Sequence, residues 1–197
     1  ENLQHFYDLG VRNLIPAWQD NAFSGAAFGS GGPLLPEGEK LMALAEALHM
    51  MIDVSHLSDT ALWRVLAITE RPLIASHSNC RALCPSVRNL TDEMIRALAE
   101  RGGVMGMNLA PYFLAPEFSA ALEPYLTNMA DWASEPDPVI RRAQKAEALA
   151  QAMNGPLPAI DAVVGHILHA IQIGGEDSVG LGGDLDGISS LPIGITG

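Results

Sequence analysis

Two apolar runs in this sequence each end in a histidine: residues 51–56 (MIDVSH) end at His56 and residues 72–77 (PLIASH) at His77. The two imidazoles are twenty-one residues apart, and the segment between them has helical periodicity. A strand, a crossover helix and a second strand would put both rings on neighbouring parallel strands about 4.8 Å apart. At that separation two imidazoles can share one metal ion, each at about 2.0–2.1 Å. Spacing alone equally allows two strand-end histidines hydrogen-bonded within a polar loop layer.

Other residues could serve the same place. Asp184 sits in residues 182–187 (GGDLDG), where a carboxylate at a strand end suits a general acid/base or a further metal ligand. The Asp186-Gly187 pair beside it is explained by a turn. Arg88, eleven residues after His77 in the segment SVRN, could clamp a carboxylate with two hydrogen bonds, or simply lie on the surface. His166 and His169 could share one helix face, but their segment is a crossover helix and no metalloprotease-type Glu accompanies them. They are expected to be structural. His5 and His49 have no partner in sequence.

The elements that must position these residues follow from the apolar periods. Strands are expected at 11–18, from 52, at 73–75, at 104–109 and at 178–184. Helices are expected at 2–9, 37–49, after Ser58 or Asp59, after Thr91, and at 161–173. Leu41, Leu44, Ala45 and Leu48 should form the buried stripe of the second helix. Short crossovers imply parallel pairing. Both an eight-stranded barrel and a doubly wound sheet fit. His56, His77, Asn108 and Asp184, however, fall at the ends of different strands, which is the habit of a barrel. The expectation is an α/β fold with parallel strands, part of a TIM (β/α)₈ barrel, in which five strands leave the barrel unclosed. Residues 1–197 are read as one domain, with 111–160 a helical excursion over the barrel mouth.

Composition narrows the function classes. The chain has 197 residues, 48% of them apolar and 17% charged, which excludes a disordered chain. A net charge of −12 argues against a nucleic-acid partner. No run has the roughly 18 apolar residues of a membrane span. The Gly-rich loop at 22–32 is too irregular for a phosphate-binding fingerprint. Cys80 and Cys84 do not make a disulfide framework; free thiols in a reducing, cytoplasmic compartment are expected. The first residue is Glu1 and no helix closes the C-terminus, so the sequence is read as part of a longer gene product.

The motifs IDVSH, ASHSN, SVRN and GLGGDLDG, in this order and spacing, closely resemble those of the membrane (renal-type) dipeptidases, zinc peptidases of the amidohydrolase superfamily. The resemblance runs from about Gly10 to the C-terminus. It implies the C-terminal portion of a (β/α)₈ barrel, roughly its strands 4 to 8. It also implies two Zn²⁺ ions bridged by a carboxylate and a hydroxide, and hydrolysis of small dipeptides by that hydroxide. His56 and His77 match the two ligands of one zinc, Arg88 the arginine that holds the substrate carboxylate, and Asp184 the aspartate that moves the proton. Trp18 stands where the mammalian enzymes carry a substrate-contacting histidine, and it cannot become cationic. The family's His-x-Asp pair and bridging glutamate have no counterpart here, so this chain supplies one incomplete site.

Two function classes follow: a zinc dipeptidase in the intact protein, or, for these residues alone, a non-catalytic module with half a metal site. A related amidohydrolase acting on N-acyl amino acids or lactones is a third option. The implied partners are a small dipeptide and, compatibly, a second copy in a homodimer.

Overall fold

The computed structural model describes residues 2–120, 135–152, 157–188 and 190–196. Strands alternate with helices along them. In order these are α1 Asn2–Asp8, β1 Asn13–Leu14, α2 Pro36–Ala47, β2 Met51–Ile52, α3 Asp59–Ile68 and β3 Ile74–Ser78. Then follow α4 Asp92–Glu100, β4 Val104–Asn108, α5 Pro111–Leu114, α6 Pro138–Ala152, α7 Ile160–Gly174 and β5 Val179–Gly183.

Local chemistry sets the boundaries. The Ser58 hydroxyl accepts the Ala61 N–H to start α3, and Thr91 does the same for Met94 at the start of α4. Asp59, Asp92 and Glu93 then sit in the first turns, where the helix dipole favours negative charge. Pro36 opens α2, where its missing N–H costs nothing. α4 stops at Gly102, whose φ of 70° is left-handed and suited to glycine.

All strand pairs are parallel. β1 pairs with β2, and β3, β4 and β5 form a three-stranded sheet in that order. A single parallel bridge, Asp53 to Ile74, joins the two sheets, and the Val54 N–H donates to the Ile74 carbonyl at 2.8 Å. The strands therefore stand side by side in chain order, with no reversal of the kind that defines a doubly wound sheet. Ile52, Leu73 and Met105 from the strands pack with Leu62 of α3 and Leu98 of α4 in one buried cluster. Leu181, midway along β5, is 81% exposed, so that strand's outward apolar side has no cover among the described residues.

Three differences from expectation have physical reasons. The expected strand over 11–18 shrinks to Asn13 and Leu14, because it pairs on one side only and Pro16 cannot donate to a ladder. The α2 stripe is rotated by about one residue: Met42 and Ala45 are fully buried, while Leu41 and Leu48 are only partly so. The strand expected at 73–75 instead runs through the histidine itself, to Ser78. Of the expected excursion over 111–160, residues 121–134 and 153–156 lie outside the described residues. Its first helix, α5, is buried through Phe113 and Leu114. No helix among the described residues is long and apolar enough to cross a membrane.

Candidate metal centre

His77 lies within β3, and His56 lies four residues beyond β2. Their Nε2 atoms meet at 2.8 Å, with ring centroids 4.8 Å apart. Each is placed differently. β3 carries a bulge between Ala75 and Ser78, which breaks the regular alternation around His77. Within this bulged stretch the Ser76 carbonyl lies against β4 and β5, in space that side chains there could not share. A Cβ added at Gly106 would lie 2.1 Å from that oxygen, and one at Gly182 would lie 2.0 Å from it.

His56 is held through its backbone. Its carbonyl accepts the Ala27 N–H at 2.8 Å, so the Gly-rich loop noted in the sequence is docked against the histidine. The same loop receives the Ser58 hydroxyl at Gly32 and the Thr60 hydroxyl at Gly31. Trp18 is 66% exposed, with its ring tilted over His56 at a centroid distance of 6.2 Å.

Arg88 braces the two histidine segments together. Its guanidinium donates to the Ser55 carbonyl, to the His77 carbonyl at 2.9 Å and to the Ser78 hydroxyl at 3.3 Å. It is 3% exposed, and its Nε has no partner among the described residues. The Phe113 ring lies 5.5 Å from the guanidinium carbon. A surface position is thereby excluded.

Asp184 follows β5 in a left-handed conformation, φ 60°, and its Oδ2 accepts from the Asn108 amide at 3.1 Å. Asn108 is tied in turn to Asn79: its N–H donates to Asn79 Oδ1, and its carbonyl accepts from Asn79 Nδ2, both at 3.0 Å. A ladder of amides thus connects the ends of β3, β4 and β5.

Burial biases the imidazoles toward neutrality. Burial, then the Arg88 charge and the neighbouring His77, push the His56 pKa down to about 3. His77 is also lowered, by burial first and Arg88 second, with Asp184 and Asp53 opposing. Burial brings Arg88 itself down to about 10, against the pull of Asp184 and Asp53. Neutral imidazoles are the form that binds metal.

The pair fits a divalent ion. Two nitrogens on a tetrahedral ion stand roughly 3.3 Å apart, given bonds of about 2.0–2.1 Å, so the 2.8 Å contact need open only slightly. No group of three or more His, Cys, Asp or Glu able to hold a metal forms among the described residues.

The other histidines are accounted for differently. His166 Nδ1 accepts the buried Cys80 N–H at 3.0 Å, and its Nε2 faces the Leu114 carbonyl at 3.1 Å. His169 Nε2 donates to Asp92 at 2.8 Å. Cys80 and Cys84 are free and buried, and burial raises their thiols to about 12 and about 11. Sequence reasoning passed over Asp53, Ser55 and Ser76, which lie behind the histidines. Each histidine follows a serine, and that repeated Ser-His was the available signal.

Comparison with known proteins identifies the family. A model of the membrane dipeptidase family, peptidase family M19, matches residues 1–196. The chain belongs to that family. An uncharacterised protein from the pqqA 5′ region of Klebsiella pneumoniae is 37% identical over 95% of this chain and 60% of its own length. The crystal structure of the probable dipeptidase PvdM from Pseudomonas aeruginosa superposes with a TM-score of 0.80 at 25% identity, over 97% of this chain and 55% of that one. A metallo peptidase from Rhodobacter sphaeroides, solved with a phosphinate mimic of the dipeptide L-Ala-D-Ala, gives a TM-score of 0.76 at 28% identity, over 99% and 48%. This member of the family thus spans 60% of that curated relative and about half of those structures.

Proposed function

We propose that the intact protein carrying this sequence is a zinc-dependent dipeptidase on a (β/α)₈ barrel, of which these five strands are a consecutive part. The carrying observation is the meeting of His56 and His77 Nε2 at 2.8 Å across neighbouring parallel segments. Family membership and the chain-order strands support the same reading.

His56 and His77 would hold one zinc ion. The bound metal supplies Lewis-acid polarisation of the peptide carbonyl and an activated water at neutral pH. Arg88 holds both histidine segments in register, and its Nε–H, without a partner among the described residues, is a donor available to a substrate carboxylate. Because the guanidinium is buried, a carboxylate reaches it only in exchange for an existing contact. Asp184 would carry a proton to the leaving amine, a role that its orientation by the Asn108 amide supports. Trp18 forms an open aromatic wall beside His56 and contributes contact area and one donor. A homodimer belongs to the same reading and is checked by the mass of the protein in solution.

The test is to purify the intact protein, measure zinc per chain, and assay hydrolysis of L-Ala-D-Ala with and without a chelator. About two zinc ions and chelator-sensitive hydrolysis are expected. Zinc-free protein without dipeptide hydrolysis would overturn the proposal, and turnover of an N-acyl amino acid or lactone instead would redirect it. That no group of three or more such residues forms among the described residues favours a second reading for the 197 residues alone: a non-catalytic module with an incomplete site, below the three protein ligands usual in catalytic zinc centres. The same two assays on the 197-residue chain decide it.

A further inference from the structure

Behind His77 lies a set of side chains that the metal chemistry does not use. Asp53 is fully buried, and its Oδ1 accepts three hydrogen bonds: the Ser55 N–H at 3.0 Å, the Ser76 N–H at 3.1 Å and the Ser55 hydroxyl at 2.6 Å. Ser55 Oγ accepts the His77 N–H at 3.1 Å and lies 3.3 Å from Ser76 Oγ. Ser76 Oγ lies 2.7 Å from His77 Nδ1.

The protons can be ordered by following who must accept. Two backbone N–H groups point at Asp53 Oδ1, and they can only donate, so that oxygen is an acceptor. Ser55 must therefore give Asp53 its one hydroxyl proton. Ser55 Oγ can then only accept, and the relay places the one Ser76 hydroxyl proton on it at 3.3 Å, the other place for that proton being His77 Nδ1 at 2.7 Å. With that proton committed, Ser76 Oγ can meet His77 Nδ1 at 2.7 Å only by accepting Nδ1–H. The chain runs one way: His77 Nδ1–H to Ser76, Ser76 to Ser55, Ser55 to Asp53.

We infer that Asp53, acting through Ser55 and Ser76, is a positioning residue that fixes His77 as its Nδ1–H tautomer and leaves the Nε2 lone pair facing His56. The inference rests on the proposed metal role of the pair and deepens it. Metal-bound histidines commonly donate their second ring nitrogen to a carboxylate, which orients the ring and strengthens the ligand. Here two serines carry that influence across the strand ends. Among the described residues His56 has no comparable chain, and its support there is the Ala27 contact to its backbone. The two ligands are therefore unequal, and His77 is the pre-set one.

The experiment reads the tautomer directly in the intact, metal-free protein, using long-range ¹H–¹⁵N correlation of the histidine rings. The wild type should show His77 with Nδ1 protonated and Nε2 bare. Ser76→Ala cuts the relay while keeping every backbone bond to Asp53, and it should give a mixture of tautomers. Co²⁺ affinity, followed by the visible spectrum of the ion, should fall about 10- to 100-fold in Ser76→Ala and recover in Ser76→Thr. Nε2–H at His77 in the wild type would overturn the relay, as would an unchanged tautomer with Co²⁺ affinity within about twofold in Ser76→Ala. If Ser76→Ala does not fold, the wild-type spectrum decides alone. Failure of the wild type to bind Co²⁺ would instead count against the proposed metal role, since the tautomer is read without metal.

Discussion

The chain holds two pairs of histidines that could be mistaken for each other. His166 and His169 are three residues apart on one helix, whereas His56 and His77 are twenty-one apart on different segments. The near pair is bound elsewhere: His166 satisfies the Cys80 N–H and the Leu114 carbonyl, and His169 pairs with Asp92. The distant pair turns its Nε2 atoms on each other. An imidazole whose nitrogens are both matched to fixed donors and acceptors is part of the scaffold. His56 and His77 each turn one nitrogen, Nε2, on the other imidazole, and that pairing leaves a lone pair for something else.

The sharpest way to break that comparison is to delete one member of each pair. In the intact protein, His77→Ala should weaken zinc or Co²⁺ binding by on the order of 100-fold or more while leaving stability nearly unchanged. His166→Ala should do the reverse. It strands a buried N–H and a buried carbonyl and opens a cavity, costing about 3 kcal/mol with metal affinity preserved. Metal titration and urea denaturation on the same two variants check both halves. Equal effects of the two variants would erase the distinction.

This distinction was partly legible in the sequence. Apolar runs ending in His56 and His77 pointed to two neighbouring parallel segments, although β2 stops at Ile52, four residues before His56, and β3 runs one residue past His77. The polar residue at the end of each run then fell at one edge of the sheet. Arg88 was not legible in its present role. Nothing in SVRN tells a surface arginine from one buried under two strand ends, since its partners are backbone carbonyls that any residue would supply. The bulge in β3 was hidden for a similar reason: it depends on Gly106 and Gly182, thirty and more residues away, leaving room for the Ser76 carbonyl.

Those glycines sharpen the comparison at the next level of effect. Gly182→Ala or Gly106→Ala drives a methyl into the Ser76 carbonyl and should cost about 1–3 kcal/mol, with His77 displaced and metal affinity reduced. Gly25→Ala tests the His56 side, where the new Cβ would lie 2.2 Å from the Gly32 carbonyl. That loop can shift as a unit while a paired strand cannot, so its stability loss should be the smaller of the two. Gly165→Ala is the control: it meets nothing within 4 Å, and in mid-helix it should stabilise by about 1 kcal/mol. Denaturation midpoints of the four variants rank them.

Acid should then act on both pairs at once, and metal should separate them. His56, His77 and His166 all have folded pKa values below the ordinary 6.5. As pH falls through 6.5 the unfolded chain takes up protons first, so stability present above that value is progressively lost, down to about pH 3 for His56. For His56 the slope is about 1 kcal/mol per pH unit. In metal-loaded protein the loss should be steeper, because protons compete with the ion for His56 and His77. The part removed by His166→Gln should be the same with or without metal. Thermal unfolding between about pH 7 and pH 5, with and without chelator, measures both slopes.

The smallest expected effect falls on His169, and it tests whether the near pair is uniform. His169 and Asp92 join α7 to α4 at 2.8 Å, with side chains 21% and 33% exposed. Water reaches both groups, so replacing the contact restores hydration that His166 could never recover. The two helices are also held by buried apolar residues, Leu98 on α4 and Val163 on α7 within the same cluster, which the substitution leaves intact. His169→Gln should therefore cost about 0.5 kcal/mol and leave metal affinity unchanged. A loss approaching that of His166→Ala would mean that burial does not separate the two, and that the α4–α7 contact depends on the imidazole itself.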